Sequence, residues 1–309
     1  MGTCTDSQPT LLPSKEERLV FLIIWITQGL NYRIMNAQEF ISKYTDLPDN
    51  SIPLFKASLG IALIEYPKLD IDEQIAKLEE VTEDAKTRVG STGDEDEVIN
   101  VLNTYLFDEL GFKGNSVDYY NPHNSLLNDV LERRTGIPIT ISTIYLEVAW
   151  NLGLDVHGVG FPGHFLVGCK TRKETKYLDP FNGGRQLDKL GMIKILDRVY
   201  HGKLGFDESF LRPVSKRMIL VRMLNNMRGN YLENGNLRRA LDAINCITQL
   251  IPTSAPDMKD RGLLNYQLRN YDSALQDFST YLKLVPDGEE SDLIRKALED
   301  IQLMLREGR

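Results

Sequence analysis

A histidine and an aspartate lie in the middle of the chain at positions where they can share a proton. His164 follows the Pro-Gly turn of GVGFPGHFLVG and opens a predicted strand, and Asp179 ends the next predicted strand, directly before Pro180. Side chains on neighbouring antiparallel strands can hydrogen-bond, and the carboxylate then fixes the tautomer of the imidazole. The pair supplies two members of a nucleophile–base–orienter triad, or it ties the two strands together without chemistry.

The three cysteines are the first candidates for the missing nucleophile. Cys169 lies five positions after His164 on the same predicted strand, and this odd separation places the two side chains on opposite faces. Cys246 falls in a helical segment where a small buried residue is expected. Together with Cys4 they form neither a disulfide framework nor a CxxC motif, and they indicate a reducing compartment.

No other motif for catalysis or cofactor binding competes with this pair. The chain has no GxxxxGKS phosphate loop, and FNGGR is too short and wrongly placed to replace one. The four histidines show neither HExxH nor another paired metal-ligand spacing. We therefore predict no cofactor and no metal site.

An α+β arrangement is predicted to position the pair. After TGIP, Pro138 suits the first turn of a helix and Gly153 its end, with apolar residues at helical spacing between them. Short segments at 156–160, 164–170 and 176–179 then indicate antiparallel strands. A helix followed by about three strands is typical of α+β domains.

The chain before this helix is predicted to be largely helical. A loose polar tail covers 1–13, and a capping-box pattern at Ser14 and Glu17 begins a helix that contains LVFLIIWI. The Gly-rich, acidic stretch 90–97 is predicted to be an exposed loop. Further helices are predicted at 36–45, 54–65, 71–89, 98–110 and 125–134.

The last hundred residues repeat with a period of 34, which is typical of the tetratricopeptide repeat, a helix–turn–helix unit. The pairs one period apart are Ala240 and Ala274, Ile244 and Phe278, and Pro252 and Pro286. We predict repeats at about 221–254 and 255–288, with a capping helix in 289–309. The repeats brace the preceding domain, bind a partner on a concave face, or do both.

Three strings, NSLLNDVLERRTGIPI, GVGFPGHFLV and LDPFNGG, together resemble the transglutaminase-like superfamily. More closely, the chain is similar to the SirB-type proteins of bacteria, in which such a domain precedes tetratricopeptide repeats, and the resemblance covers roughly 57–288. It implies a papain/transglutaminase-like α+β core with a helical N-terminal part, at 14–215, followed by the repeats. Related domains also occur in some F-box proteins, which hints at protein binding.

Active members of this superfamily have a cysteine at the N-terminus of the core helix, where the helix dipole favours the thiolate. The residues that match their histidine and aspartate are His164 and Asp179, but the nucleophile position falls within 138–140, where no cysteine stands. Thr140 is the remaining candidate. Its hydroxyl attacks with His164 as base, or it supports the first turn of the helix by hydrogen bonding.

Two further polar residues precede the short helix at 125–134. His123 and Asn124 are candidates for ligand contacts in the same cleft, although Asn before Ser is also common turn chemistry. Arg133 and Arg134 close that helix, and the helix dipole alone explains cations there.

Composition favours an ordinary folded protein. The chain has 309 residues, of which 42% are hydrophobic and 26% charged, and this length exceeds the usual size of one core. A formal net charge of −8 argues against nucleic acid and anionic membranes as general partners. The longest apolar run is too short to span a bilayer, and no export signal is evident, so we expect a cytoplasmic protein.

The leading hypothesis is a non-proteolytic protein-interaction or regulatory factor, in which a pseudoenzyme cleft and a repeat surface together hold a protein or peptide. The alternative is a hydrolase or acyltransferase that uses His164 and Asp179 with a nucleophile other than cysteine. A Thr140 hydroxyl within about 3.2 Å of an imidazole nitrogen would favour the enzyme.

Overall fold

A computed structural model describes residues 35–306, so the predicted tail at 1–13, the helix expected from Ser14 and Cys4 lie outside the described residues. The described chain is mostly helical, with two small sheets. Its strands are Lys113–Gly114 (β1), Thr135–Gly136 (β2), Asp155–Val159 (β3), Leu166–Lys170 (β4), Thr175–Asp179 (β5) and Arg185–Leu187 (β6). Its α-helices are Ala37–Ile41 (α1), Leu54–Ile61 (α2), Ile71–Val89 (α3), Glu95–Asn103 (α4), Leu127–Arg133 (α5), Pro138–Asn151 (α6), Lys189–Tyr200 (α7), Lys216–Glu233 (α8), Leu237–Leu250 (α9), Ala255–Gln267 (α10), Tyr271–Leu284 (α11) and Glu289–Arg306 (α12).

Acidic side chains begin two of the N-terminal helices. Asp70 caps α3 by accepting a hydrogen bond from the Glu73 backbone N–H. Asp94 likewise caps α4, and its side chain accepts a hydrogen bond from the Asp96 backbone N–H. The expectation of a loop over the whole of 90–97 is wrong, because α4 begins at Glu95 and places its acidic residues in its first turn. Negative charge there is favoured by the helix dipole.

The larger sheet is antiparallel, with the strand order β3-β4-β5-β6. Val156 of β3 pairs with Cys169 of β4, and Val167 of β4 pairs with Leu178 of β5. The fourth strand was not predicted, since it has only three residues and follows directly on a Gly-Gly turn. His164 was expected to open β4, but the strand begins at Leu166, and the His164 N–H instead closes a turn onto the Phe161 carbonyl.

Helix α6 lies in the centre of the α+β part and is buried along almost its whole length. Pro138 occupies its first turn, and the predicted core positions Ile144, Tyr145 and Val148 are fully or almost fully excluded from solvent. Gly153 follows the helix with φ +81°, a conformation in which a residue with a Cβ is strained. The predicted boundaries of this helix are confirmed.

Helices α8 to α12 form successive hairpins in the C-terminal part. Ala240 and Ala274 are fully buried, as the 34-residue period predicts. Gly262 allows α10 to approach α11 closely, because a Cβ there would lie 2.5 Å from the Phe278 ring. Asp277 is also buried, and its carboxylate accepts hydrogen bonds from the Arg261 guanidinium and from the amide of Asn265. The last helix ends at Arg306, within the predicted capping segment.

Candidate active site

His164 and Asp179 meet at the edge of the larger sheet. The His164 Nε2 lies 2.9 Å from the Asp179 Oδ1, and the two side chains are 10% and 0% exposed. The second carboxylate oxygen, Oδ2, accepts a hydrogen bond of 2.6 Å from the Asn182 amide and lies 3.6 Å from the Arg185 guanidinium. The loop before β4, the turn after β5 and the start of β6 therefore each place one polar side chain beside a single buried carboxylate.

Charge and hydrogen bonding keep this carboxylate ionised. Burial by itself raises the pKa of the Asp179 carboxyl, but the hydrogen bond and charge of His164, the hydrogen bond from Asn182 and the charge of Arg185 outweigh it. The pKa of Asp179 is therefore held below its ordinary value. An ionised carboxylate accepts a hydrogen bond from an imidazole N–H, so it places a proton of His164 on Nε2 and turns Nδ1 away from the carboxylate.

The imidazole is positioned by residues that sequence reasoning missed. The Arg222 guanidinium of α8 donates a 2.6 Å hydrogen bond to the His164 carbonyl, and it lies over the Phe165 ring at 5.5 Å. The Phe181 ring meets the imidazole edge to face, with centroids 5.7 Å apart. Within 35–306, the Nδ1 of His164 has no hydrogen-bond partner. Of these residues, Phe165 and Phe181 lie in strings that signal the site, GVGFPGHFLV and LDPFNGG, whereas Arg222 lies in neither.

Thr140 is fully buried at the start of α6, and its hydroxyl is already used. The hydroxyl donates a 2.8 Å hydrogen bond to the Asn124 carbonyl and accepts one of 3.1 Å from the Ile137 N–H. Gly136 leaves room for it, since a Cβ there would lie 2.6 Å from the Thr140 Oγ1. Among the described residues, no hydrogen bond joins Thr140 to His164. This geometry fits the supporting role better than that of a nucleophile.

Asn124 is also fully buried, so its side chain does not line an open cleft. Its amide donates to the carbonyls of Asp118 and Tyr119, at 2.7 and 3.2 Å, and its oxygen accepts from Asn115 at 3.1 Å. Together with the bond from Thr140 to its own carbonyl, these contacts join the loop 115–120 to the start of α6. Asn124 thus positions the site and has no amide proton left for a ligand.

His123 lies apart from the His164–Asp179 pair. Its Nδ1 is 2.6 Å from the Asp129 carboxylate and 3.2 Å from the Tyr66 hydroxyl, and its side chain is half exposed. It lines a different cavity, of about 230 Å³, whose lining includes neither His164 nor Asp179. The expectation that His123 shares their cleft is therefore corrected, because the hydrogen bond with Asp129 of α5 holds its ring against that helix.

Neither described cysteine is arranged for catalysis. Cys169 is fully buried on β4, and burial raises the pKa of its thiol to about 11. Cys246 is fully buried in α9, where burial raises the pKa of the thiol to about 12. Thiolate, the reactive form, is therefore scarce at both positions at neutral pH.

No group of three or more His, Cys, Asp or Glu side chains in 35–306 is arranged to hold a metal ion. No helix in this range is both long and apolar enough to cross a membrane.

Two known families match consecutive parts of the chain. Residues 72–225 match the transglutaminase-like superfamily, and residues 227–299 match the tetratricopeptide repeat. The first profile includes α6, the larger sheet and both members of the His164–Asp179 pair. The second begins within α8, so this helix is shared between the two matched regions.

Relatives extend over most of the chain. A "UPF0162 protein" of Xylella fastidiosa is 36% identical over 256 residues, which are 82% of this chain and 91% of the relative. The "UPF0162 protein" of Vibrio cholerae is 22% identical over 248 residues, covering 80% of this chain and 91% of the relative. F-box only protein 21 of Mus musculus is 43% identical over 99 residues, which are 29% of this chain but only 16% of that protein.

Proposed function

We propose a polypeptide-binding role for this chain, which belongs to the UPF0162 family and joins a transglutaminase-like domain to tetratricopeptide repeats. The proposed protein is a cytoplasmic, non-proteolytic interaction factor whose cleft is a pseudoenzyme site. The observation that carries the proposal is the state of the nucleophile position. Residues 138–140 contain no cysteine, and the one hydroxyl among them, that of Thr140, is committed to the backbone.

The helical repeats supply the surface for such a partner. Helix α8 packs against α9 as the first hairpin, and it also contacts the transglutaminase-like domain through Arg222. A polypeptide held by the repeats would thus lie next to the His164–Asp179 pair. The net charge of −8 favours a protein or peptide over nucleic acid. The closer relationship to SirB-type proteins stays a prediction.

A second candidate function has one observation in its favour. The Nδ1 of His164 has no partner within 35–306, while Nε2 is fixed by Asp179, which is the arrangement a general base needs. A hydrolase or acyltransferase would then use this base with a nucleophile other than cysteine. Thr140 would have to break its bonds to Asn124 and Ile137 to serve.

Affinity capture followed by mass spectrometry of the captured protein separates the two functions. The full chain, cross-linked in source cells, is expected to retain a specific polypeptide partner of unaltered mass. His164→Gln keeps an N–H donor for Asp179 but removes the base, so it should change neither the partner nor its mass. His201→Asn is the matched control, because His201 has φ +53°, which Asn tolerates. A partner cleaved or acylated by the wild type and left intact by His164→Gln would establish the enzyme instead.

A further inference from the structure

Two asparagines in the chain are each followed directly by glycine, at Asn182–Gly183 and at Asn234–Gly235. In such a sequence the backbone nitrogen of the glycine can attack the side-chain amide carbon of the asparagine. Glycine has no Cβ to shield this nitrogen, and its backbone reaches conformations that other residues avoid. Both sequences are therefore candidates for deamidation, and the first of them lies beside the His164–Asp179 pair.

The reacting atoms of Asn182 and Gly183 are accessible to water. Both residues are exposed, and they end the short helical turn Pro180–Asn182. Gly183 has φ +76°, and within 35–306 only its two chain neighbours lie within 4 Å of the position that a Cβ would take. Its N–H donates to the Pro180 carbonyl at 3.3 Å, which is longer than the usual range of about 2.7–3.2 Å. The Gly183 nitrogen is therefore only weakly restrained.

The amide of Asn182 is bound to the buried carboxylate of the candidate active site. Its Nδ2 donates a 2.6 Å hydrogen bond to Oδ2 of Asp179, which is fully buried. A hydrogen bond to an ionised acceptor is roughly twice as strong as one between neutral groups. By comparison, the Asn234 amide donates to the neutral carbonyl of Asn230 at 2.8 Å. The nitrogen that deamidation removes from Asn182 is thus a direct partner of Asp179.

We propose that Asn182 is a spontaneous deamidation site, and that its product breaks up the His164–Asp179 pair. Water removes the proton of the Gly183 N–H, and the nitrogen forms a bond to Cγ of Asn182. The bond from Cγ to Nδ2 breaks, and Nδ2 takes up a proton from water and leaves as ammonia. The resulting succinimide ring adds water at one of its two carbonyls, which gives aspartate or isoaspartate at position 182. The net reaction consumes one water and releases one ammonia.

The product reverses the role of residue 182 toward Asp179. An amide N–H donor is replaced by a carboxylate, which only accepts hydrogen bonds and carries a like charge. The hydrogen bond from Asn182 is one of the interactions that lower the pKa of Asp179, so its loss raises that pKa, as the added charge does. In isoaspartate the backbone also passes through the former side chain, so Gly183 moves relative to Asp179. Both changes weaken the carboxylate that orients His164.

The hydrogen bond between Asn182 and Asp179 also restrains the reaction. While the carboxylate holds Nδ2, the amide cannot turn freely toward the Gly183 nitrogen. Loss of the charge on Asp179 should therefore speed deamidation at Asn182 and leave it unchanged at Asn234. Because the reaction needs neither a partner nor a substrate, it goes beyond the proposed polypeptide-binding function, and the failure of one leaves the other standing.

Peptide mapping of the aged full chain by mass spectrometry tests the site. The purified protein and the free peptide LDPFNGGRQL are kept side by side in mildly alkaline buffer, so that the peptide sets the time scale. We expect aspartate and isoaspartate at position 182 within thirty half-times of the peptide. Conversion should be at least tenfold lower at Asn100, an exposed asparagine that valine follows. An Asn182 that is still intact at that time would overturn the proposal.

The variant Asp179→Asn tests the restraint. It removes the charge that holds the Asn182 amide, so the rate of conversion at Asn182 should rise at least threefold. Asn234 in the same sample is the control for a general loosening of the fold, and it should keep its wild-type rate. Equal acceleration at both asparagines, or none at Asn182, would refute the restraint by Asp179.

The variant Asn182→Asp, which is identical to the aspartate product, tests the effect on the pair. The midpoint of the Asp179 titration, followed by carboxyl ¹³C NMR, should rise by at least one pH unit in this variant. Asn234→Asp adds the same charge at the other Asn-Gly sequence and should leave the midpoint at its wild-type value. An unchanged midpoint in Asn182→Asp, or an equal rise in both variants, would refute the effect of the product on the pair.

Discussion

Replacing Asp179 by Asn tests the geometry of the His164–Asp179 pair most directly. The variant keeps the size of the side chain but offers one acceptor oxygen where the carboxylate offers two, toward His164 and Asn182. The new NH₂ group then faces one of these donors. A charge-assisted hydrogen bond contributes about 1.5–3 kcal/mol, and an unpaired buried donor costs about 1–3 kcal/mol. We expect the free energy of unfolding to fall by about 3 kcal/mol at pH 7, which is within the range for disrupting a buried charged network.

The pH dependence of this loss has a definite sign. The pKa of Asp179 is lowered in the folded protein, while in the unfolded chain an Asp titrates near about 3.9. A depressed pKa gives stability that is fully present above the unfolded value and is lost as the pH falls through the folded value. The difference between wild type and Asp179→Asn should therefore be largest at pH 7 and shrink below about pH 4.

Urea unfolding, followed by circular dichroism between pH 7 and pH 3.5, measures both effects. Asp155→Asn is the control, because Asp155 is exposed at the start of β3, and it should change the unfolding free energy by less than about 0.5 kcal/mol. An Asp179→Asn protein within about 0.5 kcal/mol of wild type at pH 7 would refute the buried pair. A difference that grows as the pH falls would refute the lowered pKa.

Three further outcomes test the remaining parts of the fold. Ala274→Glu buries an unpaired charge at a fully buried position and should destabilise the repeats by several kcal/mol, so an unchanged melting temperature would contradict the repeat packing. Gly262→Ala places a Cβ 2.5 Å from the Phe278 ring and should lower the free energy of unfolding by about 1–3 kcal/mol. In the control Gly229→Ala, the new Cβ lies in a helix with nothing within 4 Å, so the free energy of unfolding should rise by about 0.5–1 kcal/mol. Equal effects of the two variants would refute the close approach of α10 and α11. Thiol reagents should leave Cys169 unmodified in the folded protein, since it is fully buried and its pKa is raised to about 11; stoichiometric alkylation without unfolding, seen by mass spectrometry, would show that the thiol is accessible.

The sequence predicted those features that depend on neighbours along the chain. Helix α6 could be bounded because Pro138 and Gly153 act at its own ends, and the repeat helices could be placed because one 34-residue pattern occurs twice. The pairing of His164 with Asp179 could be predicted because His164 lies just before β4 and Asp179 ends the adjacent β5, at the same end of the two strands. In each case the controlling residues lie within a few positions of the feature or recur at a fixed period.

Features that depend on distant contacts could not be read in the same way. Arg222 holds the His164 carbonyl across 58 positions of the chain, and nothing in the residues around Arg222 indicates this contact. The Thr140 hydroxyl donates to the carbonyl of Asn124, 16 positions earlier in the chain. The sequence around Thr140 does not indicate this bond, so it left the hydroxyl as a candidate nucleophile. His123 was assigned to the wrong cleft for the same reason, since its partners Tyr66 and Asp129 decide where its ring lies.

The absence of a thiol at residues 138–140 changes the charge balance of the site. In a cysteine enzyme of this type, the thiolate and an imidazolium form an ion pair, and the histidine then carries the charge that faces the carboxylate. In this protein the buried Asp179 carboxylate has, besides His164, the Arg185 guanidinium of β6 at 3.6 Å. The Arg185 side chain is half exposed, so it can neutralise the carboxylate without losing its own hydration. The short strand after LDPFNGG thereby adds a cation beside the buried pair.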